Sequence, residues 1–326
     1  MSRVLLLGGT GQIGRATAAR LRQTGWEVLV AARSGPIPVD RARPGEVEKA
    51  VGDGVDAIVD IVAYARTDGE QLNALADRVG SLVVISSASV YADAHGRTLD
   101  EASSVESFPR LPVPITESQP TVAPSEATYS TRKVALEQTV LDGALPTTII
   151  RPCALHGPGS TTPREWFFVK RLRDGRRNVV LVSRGESRFH TTSVDNLAEL
   201  IRLALENPAD RILNSGDPNP PTVADIGRAV APELEQVPID EDGYARPDLS
   251  NPWAVPYPIV VDTTKAEREL GYRPVADYRG AVQATRDWLL TTDRDFSDTY
   301  LTRYFDYAAE DEVIRTAHPE RGAHAS

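Results

Sequence analysis

The chain has 326 residues, 41% of them hydrophobic, and a formal net charge of −10. That length and apolar content give ample core for one large lobe or two smaller ones, and the acidic balance argues against a nucleic-acid polyanion as partner. A single cysteine, Cys153, excludes an intrachain disulfide and a cysteine-based metal site, and no stretch approaches the ~20 consecutive apolar residues of a membrane-spanning helix.

The run Arg3-Val4-Leu5-Leu6-Leu7 leads into Gly8-Gly9-Thr10-Gly11-Gln12-Ile13-Gly14, which reads as strand, glycine turn and helix, the helix running from about Gln12 to Thr24. Because the chain enters this strand at once, no signal peptide is expected and the protein is placed in the cytoplasm. The glycines fit two registers, Gly9/Gly11/Gly14 and Gly8/Gly11/Gly14. Both let the backbone approach a pyrophosphate while the helix aims its free N–H groups and positive dipole end at the anion. Glu27 to Ala32 forms the second strand, closed by Arg33 nineteen residues after Gly14, where a dinucleotide fold meets the adenosine ribose. An acid there would take the 2′-hydroxyl of NAD, whereas arginine suits a 2′-phosphate, so NADP is preferred and NAD stays open.

Residues 56–63 and 81–86 are near-continuous apolar strands with helical stretches between them, as in a parallel sheet covered on both faces. The second of these ends in Ser86-Ser87-Ala88-Ser89-Val90-Tyr91, at the carboxyl edge where such sheets gather ligands. A long proline-bearing segment, 92–128, follows and is expected to skirt the substrate pocket, with Glu101 and Glu117 as solvated loop acids.

Tyr129 and Lys133 lie four residues apart and share a face if their segment is helical. A phenol ionises near pH ~10, so it needs a neighbouring ammonium to exchange protons at neutral pH. Farther on, Pro163-Arg164-Glu165-Trp166-Phe167-Phe168 reads as core aromatics with Arg164 at a pocket wall, and His190 reads as structural. Cys153 is expected to be an inert buried thiol, and the five histidines show no ligand spacing, so no metal is expected.

Four motifs occur in the order of the extended short-chain dehydrogenase/reductases: Gly8-x-x-Gly11-x-x-Gly14, the Ser86 to Tyr91 run, Tyr129-Ser130-Thr131-Arg132-Lys133, and Arg151 to Gly159. Further matches at Thr192 to Ala198, Asn214 to Pro218 and Asp262 to Pro274 extend the resemblance over residues 3 to about 290. The chain thus resembles the NAD-dependent epimerase/dehydratase family.

The resemblance implies an α/β fold, a doubly wound parallel sheet of Rossmann type with a smaller, discontinuous substrate lobe. Residues 1–151 plus about 190–217 would bind the dinucleotide, about 152–189 plus 218–305 would form the substrate lobe, and 306–326 would be a loose tail. It also implies a catalytic triad of Ser87, Tyr129 and Lys133. In it Tyr129 exchanges a proton, Ser87 holds the substrate oxygen, and Lys133 lowers the tyrosine pKa while bonding the nicotinamide ribose. Cofactor contacts are expected from Gly8, Gly11, Gln12, Ile13, Gly14, Arg33, Asp40, Ala63, Lys133 and Pro152.

A small-molecule substrate would meet Ser89, His156, Arg164 and Arg188. His156 stands where the family usually has a tyrosine, as a donor to substrate or as a filler of a polar gap, and Arg188 falls where the family often contacts a diphosphate. Ala88-Ser89 replaces the Asp-Glu pair of dehydrating relatives, which disfavours elimination and leaves alcohol oxidation, ketone reduction and C4 epimerisation. A non-catalytic relative that senses NAD(P) or binds RNA is the remaining alternative, disfavoured by the intact triad. Family members often pair through the helix carrying Tyr129 and Lys133, so a homodimer is expected.

Overall fold

A computed structural model describes residues 1–317. The chain runs β1 (Arg3–Leu7), α1 (Gln12–Gln23), β2 (Glu27–Ala32), β3 (Ile37–Pro38), α2 (Glu46–Val51), β4 (Ala57–Asp60), α3 (Arg66–Asn73) and β5 (Leu82–Ile85). After the long segment come α4 (Tyr129–Leu141), β6 (Thr147–Pro152), β7 (Ala154–His156), α5 (Trp166–Arg173), β8 (Asn178–Leu181), β9 (Thr191–Ser193), α6 (Val194–Glu206) and β10 (Arg211–Ser215). The last elements are α7 (Val223–Val230), β11 (Glu235–Pro238), α8 (Thr264–Leu270), α9 (Tyr278–Thr291) and α10 (Tyr307–Ala317).

Seven strands form one sheet in the order β10-β6-β5-β4-β1-β2-β3, every neighbouring pair parallel. The order reverses at β1, which starts the chain in the middle of the sheet and sends the two halves outward. Alternate side chains serve opposite faces. Val4 and Leu6 join Val59, Val83 and Ile150 under α1 and α6, whereas Leu5 and Leu7 join Ile58, Val84 and Ile149 under α2, α3 and α4. This two-sided burial explains the continuous apolar strands of the sequence.

The strand read over 56–63 stops at Asp60. Its carboxylate accepts from the N–H groups of Val62 (2.9 Å) and Ala63 (2.7 Å), which turns the chain and leaves the Ala63 carbonyl to accept from Lys133.

A separate core is built on Trp166, Phe167 and Phe168 of α5, with Ile226 and Val230 of α7, Val282 and Leu289 of α9, Trp253 and Phe296. The 92–128 segment is stitched onto this part of the molecule. The Ile115 N–H donates to the Val260 carbonyl (2.7 Å), and Arg110 donates to the Tyr257 hydroxyl (2.6 Å).

The stretch expected to be a loose tail from 306 begins instead with α10. Arg171, buried on α5, is ion-paired with Glu310 of α10 and also donates to the Tyr304 carbonyl (2.9 Å). Tyr307 donates to Asp174, and Arg176 reaches Asp311 (both 2.5 Å). No spacing motif signals these partners, which lie more than 130 positions apart in the chain. Residues 318–326 of that tail lie outside the described residues.

Candidate active site

The carboxyl ends of β4, β5 and β6 open onto a cleft of about 970 Å3 between the sheet and the second core, lined also by Gln12 and Ile13 at the start of α1. The glycine turn precedes these two residues, and its glycines do not line the cleft. Gly8 has a φ of +85°, and a Cβ on Gly14 would lie 2.4 Å from the Gly8 carbonyl oxygen, so both positions require glycine for the helix to start this close to the strand. Of the two registers left open by the sequence, this geometry makes Gly8 a required turn residue. The N-terminus of α1, with no acid in its first turn, faces the same side. A Cβ on Gly11 would meet only the Gly8 carbonyl oxygen (3.3 Å), so the backbone at the start of α1 leaves room for an anion such as a pyrophosphate.

Tyr129 opens α4. The Thr128 side chain caps the helix, and Asp100 of the long segment accepts from the Ser130 N–H (2.8 Å), so the insertion helps fix where the helix begins. Ser87 is the side chain that acts on the Tyr129 hydroxyl from the β5 end, and its own Oγ accepts from the Ser89 N–H (3.1 Å). Desolvation raises the phenol pKa above its ordinary value and Ser87 pulls it back, the first effect winning.

Lys133 lies one turn below, buried, with its ammonium 6.0 Å from the Tyr129 ring centroid. It donates to the carbonyl oxygens of Ala63 (2.6 Å) and Ile85 (3.0 Å). Burial pushes its pKa down to about 8, opposed first by the Asp60 carboxylate and then by Glu137. The sequence reading has the lysine lowering the tyrosine pKa. In this arrangement the ammonium is turned toward two backbone carbonyls, and the phenol, on a side chain 42% exposed, is not held below its ordinary range.

The three serines after β5 part ways. Ser86 donates to Glu137 (2.5 Å), and Arg151 holds the same carboxylate through two bonds of 2.9 and 2.5 Å. Arg151 lies 4.8 Å from the Tyr91 ring centroid, and the Tyr91 hydroxyl donates to Asn214 (2.7 Å). This buried network under the cleft floor ties β5, α4, β6 and β10 together; the sequence reading missed it because its members are spread over more than 120 positions. Ser87 meets Tyr129, and the Ser89 hydroxyl is buried without a partner while its residue lines the cleft.

Gln12, Ile13, Ser87, Ser89, Tyr129, Lys133, Pro152 and Arg164 line one cleft. The Gln12 side chain also donates to the Gly157 carbonyl (2.9 Å), linking the glycine turn to the loop after β7. Arg33 is exposed just past β2, with no ion-pair partner among the described residues. Asp40, just after β3, is engaged by the Ala42 N–H (3.2 Å) and Arg43 (3.5 Å). Ala63 contributes its carbonyl to Lys133.

Two candidates point elsewhere. His156 is buried and bonded to Asp217 (2.7 Å), whose carboxylate also accepts from Thr191, the Ser193 N–H and Asn196 (each 2.8 Å). Burial disfavours the imidazolium, but Asp217 outweighs it and raises the His156 pKa, while Asp217 is held down at about 2. Of its two readings, donor to substrate or filler of a polar gap, this position is the second. Arg188 is exposed and lines a separate groove with residues 218–221 and Arg279.

His190 is bonded through both ring nitrogens, to the Asp217 carbonyl (2.7 Å) and the Val261 N–H (3.2 Å). Burial pushes the Cys153 thiol up to about 12, so it stays protonated. Glu117 accepts from the Asn214 N–H (2.8 Å) and Glu101 caps Thr98 (2.9 Å). Among the described residues no group of three or more His, Cys, Asp or Glu could hold a metal ion, and no helix is long and apolar enough to cross a membrane. Sequence reading also missed the cleft residues Phe108, Phe189, Tyr244, Asn251 and Arg303, which carry no motif.

No curated protein matches the chain in sequence. Among solved structures, the fold is similar to UDP-N-acetylglucosamine 4-epimerase from Bacillus cereus (TM-score 0.69, 16% identity, 90% of this chain and 100% of that one). It is also similar to dTDP-glucose 4,6-dehydratase from Bacillus anthracis in complex with NAD (0.65, 16%, 90% and 98%). A third is the Thermus thermophilus UDP-glucose 4-epimerase complex with NAD (0.62, 19%, 89% and 99%). At these identities the likeness is one of fold. The sequence model of the NAD dependent epimerase/dehydratase family matches residues 4–216, about two thirds of the chain and nearly all of the seven-stranded sheet. The protein is an enzyme of the NAD-dependent epimerase/dehydratase family.

Proposed function

We propose that this enzyme is an NAD(P)-dependent oxidoreductase that interconverts a carbonyl and a secondary alcohol, with Tyr129 as the acid and base. The observation that carries this reading is that Ser87, Tyr129 and Lys133 line one cleft, together with Gln12 and Ile13 from the start of α1.

Both hydroxyls can address one substrate oxygen. Ser87 holds it, and Tyr129 donates a proton as a carbonyl is reduced or accepts one as an alcohol is oxidised. When bound, the nicotinamide cofactor supplies or accepts the hydride. Of the three ammonium donors of Lys133, Ala63 and Ile85 take two, leaving one for a ribose hydroxyl. Ala88 and Ser89 offer no carboxylic acid to protonate a leaving hydroxyl, so elimination is not favoured.

Arg33, exposed and free at the end of β2, supports NADP as the preferred cofactor. Arg188 is kept as an anion contact only for a ligand that reaches the groove it lines. With this reading go a cytoplasmic location and a homodimer paired through α4, the helix carrying Tyr129 and Lys133.

A second reading has specific support. Solved relatives of the same fold are nucleotide-sugar 4-epimerases, one of them with NAD, and C4 epimerisation would need the same three side chains. Incubation with NADPH or NADH and a panel of ketones, keto acids and nucleotide sugars separates the two. An oxidoreductase consumes cofactor stoichiometrically, whereas an epimerase interconverts sugars with no net consumption.

A further inference from the structure

The cleft that contains Tyr129 has an uneven lining. Among the described residues that line it there is no Asp or Glu, in a chain whose net charge is −10. Lys133, Arg164 and Arg303 supply cations. The Arg303 side chain is exposed, donates to the Tyr304 hydroxyl (2.7 Å) and lies against the Tyr300 and Tyr304 rings. Lys133 is held by two carbonyls. Arg164 has no acid partner and, unlike Arg303, donates no hydrogen bond to the protein.

Arg164 sits just ahead of α5, with its guanidinium 5.6 Å from the Phe189 ring centroid. Its Nε is buried and has no acceptor, and no ion pair holds its side chain. Asn251 is 2% exposed and lines the same cleft. Its Oδ1 accepts from the Trp253 N–H (3.0 Å), which fixes the orientation of the amide, and its Nδ2 is buried without a partner. Leaving a buried donor unmatched costs about 1–3 kcal/mol, and more for a charged group. Two such donors, one of them cationic, therefore belong to side chains that line the cleft, and neither has an acceptor in the protein.

The rest of this end is apolar. Leu99, Ala102 and Phe108 of the 92–128 segment face Phe189, Tyr244 and Val255, and Tyr244 closes on the Ala102 carbonyl (3.4 Å).

Resting on the oxidoreductase reading, we propose that Arg164 and Asn251 form a carboxylate subsite, and that the substrate is a carbonyl or hydroxy acid whose apolar or ring-bearing body lies on Phe108, Phe189 and Tyr244. A carboxylate presents one negative charge and two coplanar acceptor oxygens, which matches one unpaired guanidinium and one amide N–H.

The test is calorimetric titration of the protein saturated with NADP+, at fixed salt, using benzoylformate, its neutral analogue 1-phenylpropane-1,2-dione, and UDP. Benzoylformate is expected to bind at least about tenfold tighter than the dione, the size of one charge-assisted bond to each oxygen. Asn251→Asp keeps the acceptor for the Trp253 N–H and swaps the free donor for an anion, so it should weaken benzoylformate by about tenfold or more and leave the dione within about threefold. Arg164→Gln should do the same and serves alone if Asn251→Asp fails to fold, since the Arg164 side chain has no protein hydrogen bond to lose.

Equal binding of the dione and benzoylformate, or benzoylformate binding untouched by Arg164→Gln, overturns the proposal. Tighter binding of UDP that is lost in Arg164→Gln also overturns it, by assigning the two donors to a diphosphate. Turnover is read separately. Charge-selective binding without NADPH oxidation contradicts the proposed reaction and leaves the subsite standing, whereas turnover of neutral carbonyls with no preference for acids does the reverse.

Discussion

Lys133 donates to the Ala63 carbonyl at 2.6 Å, a bond that joins the helix carrying Tyr129 to the turn after β4. Asp60 makes that turn, and the same carboxylate is the first influence that offsets the burial of the lysine charge. The position of the ammonium is thus set by the strand end as much as by its own helix.

One consequence is a pH dependence. Burial lowers the Lys133 pKa to about 8, so its charge is present below that value and lost as the pH rises through it. Cofactor affinity and kcat/KM are expected to fall above about pH 8, and Lys133→Arg, which stays charged, to remove that break. A profile that is flat to pH 10 in the wild-type enzyme would count against the role given to this lysine.

The serines of the β5 end should separate by assay. Ser86→Ala removes a buried bond to Glu137, which keeps its Arg151 partner, so a stability loss of about 1 kcal/mol with activity retained is expected. Ser87→Ala removes the acceptor of the Ser89 N–H (3.1 Å), so it should cost about 1 kcal/mol of stability as well and, unlike Ser86→Ala, lower kcat. Denaturant titration and steady-state rates on the two variants check both statements together.

Asp217 gathers four donors in the interior. Its pKa lies at about 2, below the ordinary 3.8, so it contributes stability that is present above pH 3.8 and lost as the pH falls through 3.8 toward 2. The shift corresponds to about 2 kcal/mol. Asp217→Asn is expected to lose part of this acid-dependent stability, measured as the change in unfolding free energy between pH 5 and pH 3.

The C-terminal helix should prove integral to the second core. Glu310→Ala leaves the Arg171 guanidinium buried without its anion, a loss of about 3–5 kcal/mol. Because Arg171 also holds the Tyr304 carbonyl beside the cleft, substrate KM is expected to rise as well. Thermal unfolding and KM of this variant provide the check.

Arg33→Ser is expected to lower NADPH affinity by about tenfold or more and leave NADH within about twofold, as removal of a charge-assisted phosphate contact would. Fluorescence titration of both cofactors measures the difference.

Much of the dinucleotide half was legible in the sequence because its determinants are local. The apolar strands, the glycines around Gly11 and the four-residue spacing of Tyr129 and Lys133 each lie within one short window. The cleft between the cores was less legible. Asn251, Phe108 and Arg303 come from distant loops, and nothing in their immediate neighbours marks them as facing one another. His156 shows the limit of reading a motif position, since only the fold reveals that Asp217, 61 residues away, engages it in the interior. Edge strand β3 is two residues long, too short to carry a periodic pattern.

The central claim is that Tyr129 moves the proton while cofactor and substrate exchange hydride. The most direct measurement is single-turnover oxidation of NADPH with a reactive keto acid by wild-type enzyme and by Tyr129→Phe. The account predicts a drop in the rate by about 10²- to 10⁴-fold with cofactor affinity within about threefold. A Tyr129→Phe enzyme that oxidises NADPH at the wild-type rate would contradict it.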